Sequence, residues 1–326
     1  MNRDISFNSA FANDIIGFIK EKQAVGYQYR KGTSLLKLFD DYVCRCFKGA
    51  TMLTKEIVLG WTERSVYEAK STQQGRISIM RGLAGYMNRL GKSAYVHPRG
   101  MSSVERYSYT PYIFSEREIS AIFKASDTYS LSSTSQYCHL ILPLVIRMLY
   151  CCGLRVSEAM NLTIEDVNLS DGTLYIRKTK FGKERIIPMS GNLTKRCHEY
   201  SRQVLNGKAK GTYFFPSPYG GHYQCGTVYG HFRKIIWKAG ISHTGKGPRL
   251  HDLRHTFAVH CLKKWVLNGK DLTNCLPYLS AYLGHEDMRG TQHYLRLTAD
   301  LYPDIIQKVE YSCSWMIPEV KTDETN

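Results

Sequence analysis

Almost everywhere along this chain the apolar residues recur every three to four positions, and that spacing commits the backbone to packed amphipathic helices. Phe11, Ile15, Phe18 and Ile19 share one helical face. Leu35, Leu38, Phe39, Tyr42 and Val43 share a second, after a break at Gly32–Ser34. A third helix is expected over roughly Thr54–Trp61. A fourth spans about Thr72 to Leu90, with Ile77, Met80, Leu83, Ala84 and Met87 turned inward. The period shortens to two only at Thr173–Arg177 and Arg185–Met189, two strands either side of the Gly-containing turn Lys178–Lys183. The expected fold class is therefore mainly α with a small β-hairpin sheet.

Between Gly91 and Pro111 neither period holds, and Gly, Pro and Ser cluster there. This divides the chain into a helical domain at 1–105, a linker at 106–111 and a second domain at 112–326. The second opens on a capping box, Ser115-Glu-Arg-Glu118, in which serine accepts from an orphan N–H and glutamate reaches back. An apolar helix, Tyr137–Cys152, ends at Gly153. Further helices are expected at about Leu193–Val204, Thr227–Lys238, His251–Trp265, Leu276–Leu283 and Asp300–Val309, with a frayed end at Glu319–Asn326.

Lys and Arg number 44 against 28 Asp and Glu, a net charge of +16. Residues 1–110 carry 17 basic and 9 acidic side chains and the remainder 27 and 19, so each part holds +8. Both parts are thus suited to grip one long polyanion, and a nucleic acid is the expected partner. Arg76, Arg81 and Arg89 lie off the apolar stripe of the fourth helix, and Arg99 and Arg106 lie in the aperiodic stretch Gly91–Pro111. Arg76, Arg81, Arg99 and Arg106 are the candidates for DNA binding. A membrane span is not expected, because the longest apolar run, Leu140–Ile146, falls far short of about 20 residues. The first 18 residues contain Asp4 and Asp14 and read as no signal peptide, so a cytoplasmic, nucleoid-associated protein is expected. The ten cysteines form no C-x2-C pair and read as reduced, half-buried small hydrophobes rather than a metal or disulfide framework.

Four short segments remain unexplained by packing: CGLRVSE around Arg155, TKFGKER around Lys180, HDLRH around His251 and Arg254, and LGHEDMRGTQHY around His285 and Tyr294. In type, order and local spacing they resemble the tyrosine recombinases, or phage-type integrases. The resemblance covers residues 112–310; before that only size and helical content agree. It implies a helical, SAM-like core-binding domain followed by a tyrosine-recombinase catalytic domain. Arg155 would be the first phosphate-clamping arginine, with Glu158 supporting the local structure. Lys180 would be the hairpin general acid, with Lys178 and Lys183 as competitors. His251 and Arg254 would be the His-x-x-Arg pair, His285 the second histidine, and Tyr294 the nucleophile, with Tyr282 excluded by its place before LGH. Three departures are visible: a longer Cys261–Tyr282 stretch containing LNGKDL, Arg289-Gly290-Thr291 before the tyrosine, and His293 beside it.

These residue types suit one reaction. A tyrosine hydroxyl can conserve the phosphodiester bond as a phosphotyrosine while the DNA is open. Two planar guanidiniums match the non-bridging oxygens bidentately, and a lysine near other cations can protonate the leaving 5′-oxygen. No metal or other cofactor is implied. The resemblance further implies double-stranded DNA with inverted-repeat core sites, a homotetramer on synapsed DNA from a monomer or weak dimer, and an accessory DNA-bending or directionality protein. Integration and excision of a bacterial mobile element is the expected use. A chromosome or plasmid dimer resolvase, a type IB topoisomerase and a non-catalytic DNA-binding regulator are the alternatives. A metal-dependent nuclease would need a carboxylate cluster that these motifs lack.

Overall fold

A computed structural model describes residues 5–27, 29–99, 110–129, 137–177, 184–245 and 247–301. The chain divides into two compact units, Met1–Thr110 and Pro111–Asn326. The hairpin turn with Lys180, the segment with Arg106, and the expected helix Asp300–Val309 beyond Leu301 lie outside the described residues.

The first unit contains α1 (Ala12–Ala24), α2 (Arg30–Cys46), α3 (Lys55–Thr62) and α4 (Lys70–Arg89). Its core joins Phe11, Ile15, Phe18, Phe39, Trp61, Met80 and Leu83, with the five expected positions of α4 all buried. Thr54 caps α3 by accepting from the Ile57 N–H. Helix α2 differs from expectation. It runs unbroken through Gly32, where a Cβ would lie 2.5 Å from the Tyr29 ring, so glycine here serves close packing rather than a break. Its inward face is Leu36, Phe39, Asp40 and Val43, and Leu38 stands 59% exposed. Asp40 belongs to that face because its carboxylate accepts the Asn8 and Ser9 N–H groups, both at 2.8 Å. The start of the aperiodic stretch after α4 is part of this unit, as the boundary at 105 requires: Tyr95 N donates to the Leu53 carbonyl at 2.8 Å, and His97 is buried.

The second unit holds α5 (Glu116–Asp127), α6 (Cys138–Cys151), α7 (Val156–Asn161), strands β1 (Val167–Asn168), β2 (Thr173–Ile176) and β3 (Arg185–Pro188), then α8 (Gly191–Tyr200), α9 (Cys225–Lys238), α10 (Asp252–Leu267), α11 (Leu272–Leu283) and α12 (Arg289–Leu301). The capping box at Ser115 forms, with both of its hydrogen bonds in place. The sheet is antiparallel in the order β1-β2-β3, with Leu174 opposite Ile187 and both buried. Strand β1 adds a short third member to the expected hairpin. Helix α8 leaves as a π turn at Ser201–Leu205. The longer LNGKDL stretch is a tight turn: α10 ends at Leu267, and the Asp271 side chain caps α11 through the Thr273 N–H. No described helix is long and apolar enough to cross a membrane.

Helix α6 is buried nearly throughout and packs against α5, α8 and α10; α10 in turn packs against α11 and α12. Two glycines close this core. Gly153 ends α6 at φ +57°, where a Cβ would meet Phe257 and Leu283 at 2.6 and 2.9 Å. Gly284 ends α11 at φ +65°, where a Cβ would meet Arg185 Nη1 at 2.8 Å. Both sites need the left-handed backbone and the missing side chain together.

Candidate active site

Three arginines from distant parts of the second unit converge on one buried carboxylate, Glu158 in the first turn of α7. Arg155, at the N-cap of α7, donates from Nη1 to Glu158 Oε1 at 2.7 Å, and its backbone N–H reaches Oε2 at 2.9 Å. Arg185, at the start of β3, donates to both oxygens at 3.1 and 2.9 Å. Arg254, in the first turn of α10 and only 1% exposed, brings Nη1 to 3.9 Å. The same three side chains also bind three consecutive carbonyls at the end of α11. Arg185 donates to Tyr282 at 2.7 Å, Arg254 to Leu283 at 2.6 Å and Arg155 to Gly284 at 3.2 Å. Arg254 additionally donates to the Gly153 carbonyl at 2.7 Å. Cations at the negative end of a helix are favourable, and here they join α6, α7, α10, α11 and β3 into one rigid seat.

Three guanidiniums against one carboxylate leave two positive charges in excess. Burial would raise the Glu158 carboxyl, but hydrogen bonds and charge from Arg185, then Arg155, take it down to about 2. Arg254 is pushed the other way, to about 10, by burial and then by the nearby Arg155 charge. It remains charged at neutral pH.

Around this seat stand the histidines and the tyrosine. His251 lies just before α10, its residue open to solvent, and is taken down to about 4 by desolvation and by the Arg254, Arg155 and Arg249 charges. The α10 N-terminus beside it, where the buried Asp252 accepts the Arg249 N–H at 2.7 Å, adds partial positive charge. His285 Nδ1 meets Thr291 Oγ1 at 2.8 Å, and desolvation followed by the Arg254 and Arg155 charges brings the imidazole to about 4. Both imidazoles are therefore neutral at physiological pH.

Tyr294 sits in the middle of α12, 3% exposed, with its ring stacked on His285 at 5.9 Å and an interplanar angle of 24°. Burial raises its phenol above the usual value, against the opposing Arg254 charge and hydrogen bond and the Arg155 charge. The expected site residues Arg155, His251, Arg254, His285 and Tyr294 are thus brought together. Lys180 belongs to the undescribed hairpin turn, whose flanking strands β2 and β3 are paired. A cleft of about 460 Å³ opens beside the group, lined by Glu184, Arg185, Gly284, His285 and Met288.

Two members of the group were not singled out by sequence. Arg185 has the same share in the Glu158 network as Arg155, but its partners are 27 and 97 residues away. His255 places Nδ1 3.1 Å from the Tyr294 hydroxyl. Its only signal was the second histidine of HDLRH. Among the described residues no three His, Cys, Asp or Glu side chains are grouped to hold a metal ion.

The expected DNA-binding arginines fare differently. Arg76 is occupied inside the first unit: it donates to the carbonyls of Trp61 and Glu63, pairs with Glu68 and lies over the Trp61 ring. Arg81 donates to the His97 and Pro98 carbonyls at 3.0 and 2.9 Å. Both guanidiniums hold the α3–α4 loop and the segment after α4. Arg99 is exposed; Arg106 lies outside the described residues.

The phage integrase family model matches residues 113–300. The y4rB protein of Sinorhizobium fredii is 27% identical across 93% of this chain and 98% of its own length. Tyrosine recombinase XerC of Oceanobacillus iheyensis is 28% identical across 86% and 88%, and tyrosine recombinase XerD of Pseudomonas putida 29% across 72% and 74%. In fold, the chain resembles XerH recombinase on its palindromic difH substrate, with a TM-score of 0.61, 20% identity and coverage of 87% and 79%. It also resembles a lambda integrase dimer on a core site, with a TM-score of 0.62, 16% identity and coverage of 86% and 76%.

Proposed function

Since this chain belongs to the phage integrase family, the tyrosine recombinases, we propose that it cuts and rejoins double-stranded DNA at specific sites through a phosphotyrosine intermediate. The observation that carries this reading is the convergence of Tyr294 with Arg155, Arg254, His251 and His285 on one seat with two excess positive charges. Arg155 and Arg254 clamp the non-bridging oxygens of the scissile phosphate; each is already fixed by carbonyl partners, so little reorganisation accompanies the reaction. The Tyr294 oxygen bonds to phosphorus as its proton passes to solvent, the bond to the 5′-oxygen breaks, and Lys180 supplies the proton that the leaving hydroxyl takes. The products are a 3′-phosphotyrosyl enzyme and a free 5′-hydroxyl, and no step requires a metal-activated water. Neutral His251 and His285 complete the ring of hydrogen-bonding groups around the phosphate.

The biological use we infer is integration and excision of a bacterial mobile element, by a homotetramer acting on inverted-repeat core sites in the cytoplasm. A gene lying inside an excisable segment flanked by short repeats supports this use; a chromosomal setting without such repeats favours dimer resolution. The chemistry is tested with nicked duplexes of randomised sequence, which lose a short strand on cleavage and trap the adduct. The parent chain is expected to give a DNA-shifted band on a denaturing gel, with or without magnesium, mapping to Tyr294. Tyr294→Phe is expected to bind the selected duplex and give none. An adduct that survives in Tyr294→Phe would falsify the assignment.

A further inference from the structure

We propose that His255 is a positioning residue for the nucleophile: its Nδ1 accepts the Tyr294 hydroxyl hydrogen and so fixes the direction in which the phenol oxygen presents its lone pairs. The proposal rests on the reading of Tyr294 as the attacking group. The two atoms lie 3.1 Å apart, and the rings meet at 5.5 Å and 57°. Tyr294 is then held on two sides, by the His285 ring against its face and by His255 at its hydroxyl.

The direction of the bond follows from the charge around it. The Arg254 guanidinium, which has no acceptor, places its positive charge near the phenol oxygen, so the oxygen's lone pairs turn toward Arg254 and its hydrogen toward His255. That requires the tautomer with the proton on Nε2 and a bare Nδ1. The surroundings favour this neutral form: desolvation, His251, Arg254 and Arg249 from the α10 side and His293 from α12 bring the imidazole to about 3.

The same surroundings disfavour His255 as the base. Burial raises the Tyr294 phenol while desolvation and the neighbouring positive groups bring the His255 imidazole down to about 3, so both shifts oppose a proton transfer from one to the other. Its part is orientation. His255 is half-buried, and a ring nitrogen left without a partner there would be penalised.

The experiment uses the duplex selected from the nicked random pool and measures single-turnover adduct formation. An asparagine amide oxygen falls near the Nδ1 position, a glutamine oxygen near Nε2, and phenylalanine fills space without accepting. His255→Asn is expected within about tenfold of the parent, whereas His255→Gln and His255→Phe fall by about 100-fold, a typical cost of misplacing a reacting group. All three should bind the duplex as the parent does, which also reports that they fold. The parent and His255→Asn should share one pH–rate profile between pH 6 and 9. Equal slowing of all three variants reduces His255 to a space-filler, and an acid limb near pH 6–7 present only in the parent makes it a base; either overturns the proposal. A parent chain that forms no adduct on any duplex overturns the nucleophile reading itself, which is a separate outcome.

Discussion

Replacing Glu158 by glutamine keeps its shape and removes one charge from the centre of the arginine seat. The carboxyl stands near 2 in the folded chain against 4.5 for a free glutamate, a depression of about 2.5 units. At about 1.4 kcal/mol per unit, ionised Glu158 contributes on the order of 3 kcal/mol. A depressed carboxyl stabilises above its unfolded pKa, and the contribution fades as pH falls toward the folded value. Glu158→Gln should therefore lower the unfolding free energy of the second unit by about 3 kcal/mol at pH 7. The deficit should start to shrink below pH 4.5 and nearly vanish close to pH 2. Removing one member of a buried ion network commonly costs about 3–5 kcal/mol, which agrees in size. Urea titrations of parent and variant at pH 7, 4 and 3, followed by tryptophan fluorescence, measure this. A deficit that is the same at pH 7 and pH 3, or smaller than about 1 kcal/mol at pH 7, would mean that the three arginines are held by the carbonyls of α11 without help from the carboxylate.

Gly284→Ala should destabilise the second unit by about 2 kcal/mol, from the left-handed backbone and the displaced Arg185, seen as a lower urea midpoint with unchanged slope. Arg76→Met should cost the first unit about 2 kcal/mol yet leave the salt dependence of DNA binding alone; a slope shallower by about 0.9 would make Arg76 a phosphate contact as well. Lys180→Ala should slow cleavage roughly 10²–10⁴-fold with little effect on binding. A 5′-bridging phosphorothiolate, whose sulfur leaves without a proton, should recover the rate, and failure to do so passes the acid role to Lys178 or Lys183.

What could be read from sequence was what local spacing encodes. The capping box at Ser115 needs only its own four residues, and the inward face of α4 repeats cleanly enough to be read at every position. Helix α2 was misphased because its buried face contains Asp40, whose partners are backbone groups more than 30 residues earlier, and no apolar pattern registers a buried aspartate. Helix α12 escaped because its buried face mixes Thr291 and Thr298 with Tyr294, Leu295 and Leu297, which dilutes the apolar period. Strand β1, two residues long, has no period to detect. At the site, motif order pointed to Arg155, His251, Arg254, His285 and Tyr294 through family resemblance. Arg185 and His255 could not be found that way, because their significance lies wholly in long-range partners.

The end of α11 has a kinetic consequence. An arginine side chain free in water samples many rotamers, and immobilising one costs up to about 2 kcal/mol. Tyr282, Leu283 and Gly284 offer their carbonyls in succession along a single turn, so Arg185, Arg254 and Arg155 lose that freedom when the chain folds, long before any DNA arrives. Ligand encounter then carries little of the ordering penalty. For a protein that meets vast numbers of wrong phosphates before a right one, such early immobilisation lets each visit be brief, since nothing in the seat has to rearrange before a site is rejected.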